Sequence, residues 1–222
     1  RELLEKLTEI EGLHWVRVLY AYPNTVTEEL VDAMYRNPKI CNYIDIPIQH
    51  ISAHMLRDMN RHGSAEHIRE ITDYIRRSAP GFILRTTVML GFPGETEEEF
   101  EESMAFVQKQ KLSKIHVFPY SRRKGTPAYS MPNQLSSAEK HERAKRLIAV
   151  SRQLEGEFIS SLVDTKQDVL FEEEKNGLIW GHTDTYVKVG VKSNGAKLIN
   201  TIVPVTISGY NRFGATGIIK QI

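Results

Sequence analysis

Cysteine is nearly absent from this chain: among 222 residues only Cys41 carries a thiol. One thiol excludes an intrachain disulfide and any cysteine-rich metal site built from these residues alone. Long apolar runs are missing too, since none approaches the roughly 20 residues a membrane span requires. No leader pattern opens the chain, so the expected compartment is the cytoplasm, with no membrane partner. Glycine and proline are sparse, at 14 and 9 residues, which removes the collagen-like and low-complexity classes. No Gly-x-Ser-x-Gly elbow, Walker loop or dinucleotide fingerprint occurs. What remains is a composition with 41% hydrophobic and 26% charged residues, enough for at least one packed core. A helical pattern is already running at Arg1, which is not a methionine, so the chain is expected to be a piece of a longer protein.

The net charge of +1 hides a segregation. Residues 109–154 hold 11 Lys and Arg against 2 Asp and Glu, whereas residues 1–108 hold 11 against 18 and residues 155–222 hold 7 against 8. A positive stretch of that kind suits either a phosphate backbone or a solvated helix face, and charge alone does not choose between them.

Short strand-like runs alternate with amphipathic patterns through the first part of the chain. A strand over residues 15–20 precedes a helix that Thr25 and Glu28 are expected to cap, with Leu30, Val31 and Met34 on one face. A second strand over 43–48 leads to helical patterns around Met55, Leu56 and Met59 and around Ile68, Ile71 and Ile75. A third strand, residues 82–90, ends at Gly91-Phe92-Pro93-Gly94, and Thr96 with Glu99 caps a helix bearing Phe100, Met104 and Val107. A fourth strand, 114–118, stops at Pro119-Tyr120. Four β-then-α units in succession argue for an α/β fold with parallel strands, as an open sheet or a barrel. Ser136 and Glu139 cap a further, basic helix. From about Asp164 the texture changes to short strands at 168–171, 178–183, 186–191, 201–207 and 215–219, broken at Asn176-Gly177, Asn194-Gly195 and Ser208-Gly209. The expected organisation is therefore a β/α part over 1–135, a basic connecting helix over 136–163 and a small all-β barrel over 164–222.

In parallel β/α folds the working residues collect at the carboxyl ends of strands. The second strand delivers Gln49, His50 and Ser52, the third carries Arg85, Thr86 and Thr87, and the fourth delivers Tyr120, Ser121, Arg122 and Arg123. Arg85 is the informative one, because a guanidinium inside an apolar strand must either meet a ligand anion or form an internal ion pair, for example with Asp45. The glycine-proline turn allows backbone N–H groups to approach a ligand, yet it also suits an ordinary tight turn. His50, His54, His62 and His67 lack zincin spacing, Cys41 is expected to precede the second strand as a free buried thiol, and no metal site is expected.

The order of these motifs resembles a known family. Residues 43–52 (Tyr-Ile-Asp-Ile-Pro-Ile-Gln-His-Ile-Ser), Met59-Asn60-Arg61, the run from Arg85 to Thr96, and Val117 to Ser121 followed by Gly125 to Ala128 are similar to the radical S-adenosylmethionine (SAM) methylthiotransferases of the MiaB, RimO and MtaB type. The terminal β part, with Gly181 to Tyr186, resembles their TRAM module. The resemblance covers essentially the whole chain and implies the later part of a radical SAM (β/α) barrel followed by a small all-β TRAM barrel. It implies a parent enzyme that cleaves S-adenosylmethionine reductively to a deoxyadenosyl radical, abstracts hydrogen from an unactivated carbon and installs a methylthio group. Members of the family hold [4Fe–4S] clusters through cysteines that this chain lacks, and Cys41 matches none of them, so no cluster is expected on these residues alone.

Carried over by motif, Gln49, Ser52, Arg61, Arg85 and Thr87 are expected near the methionine or ribose part of the cofactor, with Arg85 facing its carboxylate. Gly91, Phe92, Tyr120 and Ser121 are expected near the adenine. Two likenesses compete for the substrate. Residues from about Val16 to Glu102 resemble the RimO branch, which modifies an aspartate of a small-subunit ribosomal protein. Residues from His116 onward, with Arg122, Arg123 and Lys124 as expected substrate contacts, resemble the MtaB branch, which modifies threonylcarbamoyladenosine of tRNA. Tyr186, Tyr210 and Phe213 suit either base stacking or a barrel core. The implied partners are thus tRNA or a ribosomal protein, and an electron donor; the alternative is a non-catalytic fragment that only binds RNA or the ribosome.

Overall fold

The computed structural model describes residues 1–192, 197–211 and 213–219. Helix α1 (Glu2–Thr8) leads into strand β1 (Val16–Val18), helix α2 (Glu28–Arg36) and strand β2 (Ile40–Asp45). Helices α3 (Ala53–Asp58) and α4 (Ala65–Ser78) then precede β3 (Ile83–Leu90), α5 (Glu97–Lys109) and β4 (Lys114–Pro119). The four strands form one all-parallel sheet in the order β1-β2-β3-β4. Sequential order with a helical crossover between neighbours is the layout that alternating β and α patterns dictate.

Every α-helix but α1 begins where a side chain takes over an orphan backbone donor. Thr96 and Ser136 both form complete capping boxes, with Glu99 and Glu139 reaching back to the cap residue. Helix α2 departs from expectation: its cap is Thr27, whose hydroxyl accepts from Leu30 N, while Thr25 lies in a 3-10 turn over Pro23–Thr25. Pro23 explains the shift, because its ring favours a tight turn there and delays the helix by two residues. Strand β2 also starts earlier than expected, so Cys41 lies within it rather than ahead of it. Pro47 ends the regular ladder, since it has no N–H to donate. The chain rejoins β3 at Gln49, which bridges Val88 with φ 67°.

One face of the sheet holds the principal core. Ile44, Leu84, Val88 and Leu90 pack against Val31 and Met34 of α2, Ile68, Ile71 and Ile75 of α4, and Phe100, Met104 and Val107 of α5. Burying each such side chain is worth roughly 1.5–3 kcal/mol. The burial pattern along β3 alternates, so Arg85, Thr87 and Met89 look out on the other face. Register places Asp45 and Lys114 beside Arg85, His116 beside Thr87, and Phe118 beside Met89 on that same face.

Helix α6 (Ser137–Ser161) joins two cores, with Leu147 and Leu154 in the first and Ile159 in the second. Beyond it, β5 (Lys166–Lys175), β6 (Leu178–Thr183), β7 (Lys188–Lys192), β8 (Ile202–Asn211) and β9 (Gly214–Ile218) close a barrel in the order β5-β6-β7-β9-β8. Asn176-Gly177 makes the β5–β6 hairpin turn, both residues at positive φ (55° and 73°) as a type I′ turn demands. Ser208-Gly209 does not break a strand; it lies inside β8, where the register with β9 shifts between Ile207 and Gly209. Asn194-Gly195 lies outside the described residues.

Candidate functional site

The open face of the sheet divides into two halves. At its amino-terminal half the small barrel covers it. Cys41, Tyr43 and Ile83 pack there with Trp15, with Phe158 of α6 and with Tyr186 from the β6–β7 turn. Arg17 donates to the carbonyls of Thr183 (2.9 Å) and Asp184 (3.1 Å), and its guanidinium lies 4.6 Å from the centroid of the Tyr186 ring. Lys114 donates to the Tyr186 carbonyl at 2.5 Å, and burial pulls its ammonium below the usual lysine range.

Arg85 belongs to this half. Of the two fates left open for it, the internal ion pair is formed: Nη1 lies 3.4 Å from Oδ2 of Asp45, its register partner on β2. Burial pushes the Asp45 carboxyl up, against the pull of Arg85. Burial also works to lower Arg85, but Tyr43 and Asp45 carry it above its ordinary value. The Arg85 side chain remains 31% exposed and lines a polar cavity of about 330 Å³ with Lys114, His116, Ser151, Glu155 and Tyr186.

The carboxyl-terminal half opens into a second cavity, of about 390 Å³, lined by Tyr20, Ala21, Tyr22, Pro47, Gln49, Arg61, Thr87 and His116. Three residues expected at the cofactor, Gln49, Arg61 and Thr87, are brought together here. Gln49 is held by backbone bonds to β3 on either side of Val88, its N–H donating to Thr87 O (2.8 Å) and its carbonyl accepting from Met89 N (2.9 Å). Its side-chain Oε1 is buried and has no hydrogen-bond partner. Arg61 donates to Pro47 O at 2.7 Å and lies 5.4 Å from the Tyr22 ring centroid; among the described residues no carboxylate pairs with it. Burial lowers its pKa from the usual arginine value. A guanidinium with no carboxylate partner among the described residues and an unpaired buried amide oxygen fit a ligand that offers an anionic group and a hydrogen-bond donor. S-adenosylmethionine, with its carboxylate, ammonium and ribose hydroxyls, is of that kind.

The other expected cofactor residues lie elsewhere. Ser52 is buried, caps α3 and donates to Glu99 Oε1 at 2.6 Å. Gly91 turns with φ 73° beneath the Lys140 side chain, where a Cβ would lie 2.1 Å from Lys140 Cγ. Phe92 and Tyr120 meet edge to face, centroids 5.2 Å apart, in a cluster with Met55. Ser121 is exposed next to the turn that carries Arg122, Arg123 and Lys124. Arg122 is engaged with Tyr129, donating to its carbonyl at 2.7 Å, while Arg123 and Lys124 are exposed. Tyr186 is taken up by the junction, so of the aromatic residues considered for stacking Tyr210 and Phe213 are the exposed ones.

Tyr20, Tyr22 and His116 also line this cavity, and the sequence does not single them out as site residues. Alternation along β4 puts His116 on the same face as Lys114 and Phe118, and Tyr20 has the positive φ (57°) of a chain turning sharply at a strand end. For an iron–sulfur cluster the residues do not fit. Cys41 is the sole thiol, it is 2% exposed in β2, and burial pushes it up, away from the thiolate a metal requires.

Known proteins share sequence and fold with this chain. The model of the radical SAM superfamily matches residues 1–107. Ribosomal protein uS12 methylthiotransferase RimO of Alkaliphilus oremlandii is 39% identical over 96% of this chain, and that of Geotalea uraniireducens is 37% identical over 97%. The RimO of Caldanaerobacter subterraneus is 43% identical over 82%. The chain spans about half the length of the first two, 51% and 50%. Among solved structures, coproporphyrinogen III oxidase (HemN) from Escherichia coli, described as a radical SAM enzyme, superposes on 69% of the chain and 36% of its own with a TM-score of 0.54 at 19% identity, a likeness of fold. With parallel β/α units followed by a small barrel, and with motifs that align along almost its full length to these relatives, the chain belongs to the radical SAM methylthiotransferase family.

Proposed function

We propose that this chain supplies the cofactor-facing later strands and the terminal barrel of a methylthiotransferase that modifies ribosomal protein uS12. The observation that carries the reading is the cavity at the carboxyl ends of β2 and β3, where Gln49, Arg61 and Thr87 converge beside an unpaired amide oxygen. S-adenosylmethionine supplies, when bound, the radical chemistry of the reaction. The chain's own part is to bind and orient it: Arg61 takes the carboxylate, Gln49 Oε1 accepts from an ammonium or hydroxyl, and the Tyr22 ring walls one side. Cluster ligands, sulfur donor and electron donor lie outside these residues, and a ribosomal target places the reaction in the cytoplasm.

Arg85 serves this site from the neighbouring cavity, its charge balanced by Asp45. Ser52, Gly91, Phe92, Tyr120 and Ser121 lie outside the cavity lining, Ser52 and Gly91 bonded to Glu99 and Glu95, and Phe92 packed on Tyr120. The names of the relatives support the protein substrate. The basic stretch 109–154, with exposed Arg123 and Lys124, is what supports tRNA instead.

Calorimetric titration with S-adenosylmethionine tests the reading. Uptake by the chain, weakened at least about tenfold by Arg61→Ala as expected for loss of a charge-assisted pair, supports it. No uptake, or uptake indifferent to Arg61→Ala, rejects the assigned cavity and leaves the non-catalytic binding fragment. Mass spectrometry of uS12 and of tRNA from a deletion strain separates the two substrates: a mass loss of one methylthio group on uS12 is expected, and loss on tRNA alone overturns the protein target.

A further inference from the structure

One buried carboxylate ties together three segments that the sequence keeps far apart. Glu95 follows the turn after β3, and its side chain is fully buried. Its Oε2 accepts from Gly91 N, four residues back in the same turn. Its Oε1 lies 3.2 Å from Arg143 Nη1 on α6 and 4.0 Å from His50 Nε2 in the loop after β2. Arg143 Nη1 also donates to the Glu95 carbonyl at 3.1 Å, and Nη2 lies 3.1 Å from Glu97. His50 is itself fully buried, and its Nδ1 accepts from Ser52 N at 2.9 Å. An accepting Nδ1 leaves the ring proton on Nε2, the nitrogen that faces Glu95 and lies 3.5 Å from Ser103 Oγ.

A buried carboxylate stripped of its counterion is costly, and Arg143 is the cation that lies against this one. The partners of Glu95 come from the turn after β3, from α6 and from the loop after β2, and that loop carries Gln49 into the cavity. Gly91 N belongs to the turn that carries Phe92, His50 sits between Gln49 and Ser52, and Arg143 belongs to the helix that also bears Lys140 over Gly91. None of the three needs to touch a ligand for the network to set where the ligand-bearing turns stand.

We propose that Glu95, with Arg143 as its counterion, is a positioning residue for the cofactor site: it holds the turn after β3 and the loop after β2 in one arrangement. The proposal rests on the cofactor reading above for its consequence, but not for its geometry. Helix α6 thereby becomes a part of the site's frame, although none of its residues lines the cavity that holds Gln49 and Arg61.

Two readouts test it on the same chain. In Arg143→Met the Gly91 amide is expected to exchange with solvent about tenfold to a hundredfold faster, and S-adenosylmethionine affinity to fall about tenfold, the scale of a lost hydrogen bond to a charged group. The double variant Glu95→Gln/Arg143→Met, which keeps an acceptor for Gly91 N and removes both charges, is expected to restore both to within about threefold of wild type. Leu147→Ala, a fully buried core residue on the same helix, is the control for simple destabilisation. It is expected to lower the melting temperature while changing ligand affinity less than about twofold. Unchanged Gly91 exchange in Arg143→Met overturns the proposal, and so does an equal affinity loss in Leu147→Ala. If the wild-type chain binds no S-adenosylmethionine, the cofactor reading fails, and the exchange measurement still decides whether Arg143 holds the turn.

Discussion

Arg85 stands directly beside Asp45 across the β2–β3 pair, Nη1 to Oδ2 at 3.4 Å, so the guanidinium in this apolar strand is neutralised by its own sheet. The pair is unequal, because the Asp45 side chain is 2% exposed and that of Arg85 31%. Asp45 therefore bears most of the desolvation cost, and its affinity for a proton rises accordingly.

That rise has a signed consequence for stability. With its pKa higher in the folded than in the unfolded chain, Asp45 favours folding below its unfolded pKa, and this contribution is lost as the pH climbs through the raised folded value. Asp45→Asn removes the titration. Urea midpoints measured from pH 4 to pH 7 are expected to shift in the variant's favour, relative to wild type, as the pH rises. Parallel profiles would show that Asp45 titrates normally.

Tyr186 is the hinge pin between the barrel and the sheet. Its ring lies 5.5 Å from that of Tyr43 and 4.7 Å from that of His182, with Arg17 over it. Tyr186→Ala opens a cavity at the junction and strips Arg17 of its aromatic face, a loss of about 3 kcal/mol. Scanning calorimetry is expected to resolve two transitions, the sheet with its helices and the small barrel; one unshifted transition would contradict this.

Gly181 is where the barrel tolerates no side chain. A Cβ there would lie 2.1 Å from the Leu170 carbonyl oxygen on the paired strand, and backbone cannot step aside as a flexible side chain can. Gly181→Ala is expected to cost at least about 3 kcal/mol, beyond the range of ordinary overpacking. Lost barrel amide protection, with protection around Val88 and Leu90 retained, is the expected hydrogen-exchange signature.

The true cap of α2 is open to a direct comparison. Thr27→Ala removes the acceptor for Leu30 N and is expected to cost about 1 kcal/mol in chemical denaturation. Thr25→Ala removes only a bond from its hydroxyl to Tyr22 O in the preceding turn and is expected to cost less than about 0.5 kcal/mol. Equal losses would return the cap to Thr25.

Thr25 shows why some elements were readable and others not. Both Thr25-Glu28 and Thr96-Glu99 have the capping spacing, and only the second forms a box, because Pro23 winds the chain at Thr25 into a tighter turn. The Asn176-Gly177 hairpin was readable because a type I′ turn is a local demand on two residues. Ser208-Gly209 carries the same local signal, yet β8 runs through it, since pairing with both β5 and β9 outweighs a turn preference. At the site, Gln49 and Arg61 were readable from motif order, whereas His116 and Tyr22 were not, because each joins the cavity only through the register of β4 or the path of a loop.

Read alone, the sequence determined the succession of β/α units, the change to an all-β ending, the lone thiol and the likeness to a family, since these depend on residue type and on neighbours a few positions apart. Tertiary structure alone decided which charges meet. Of the two fates the sequence left open for Arg85 it selected the pair with Asp45, and it gathered His50 and Arg143 around Glu95, across separations of about 40 residues or more. Burial sets the strength of such pairs and strand register sets their geometry, and neither exists until the sheet has assembled.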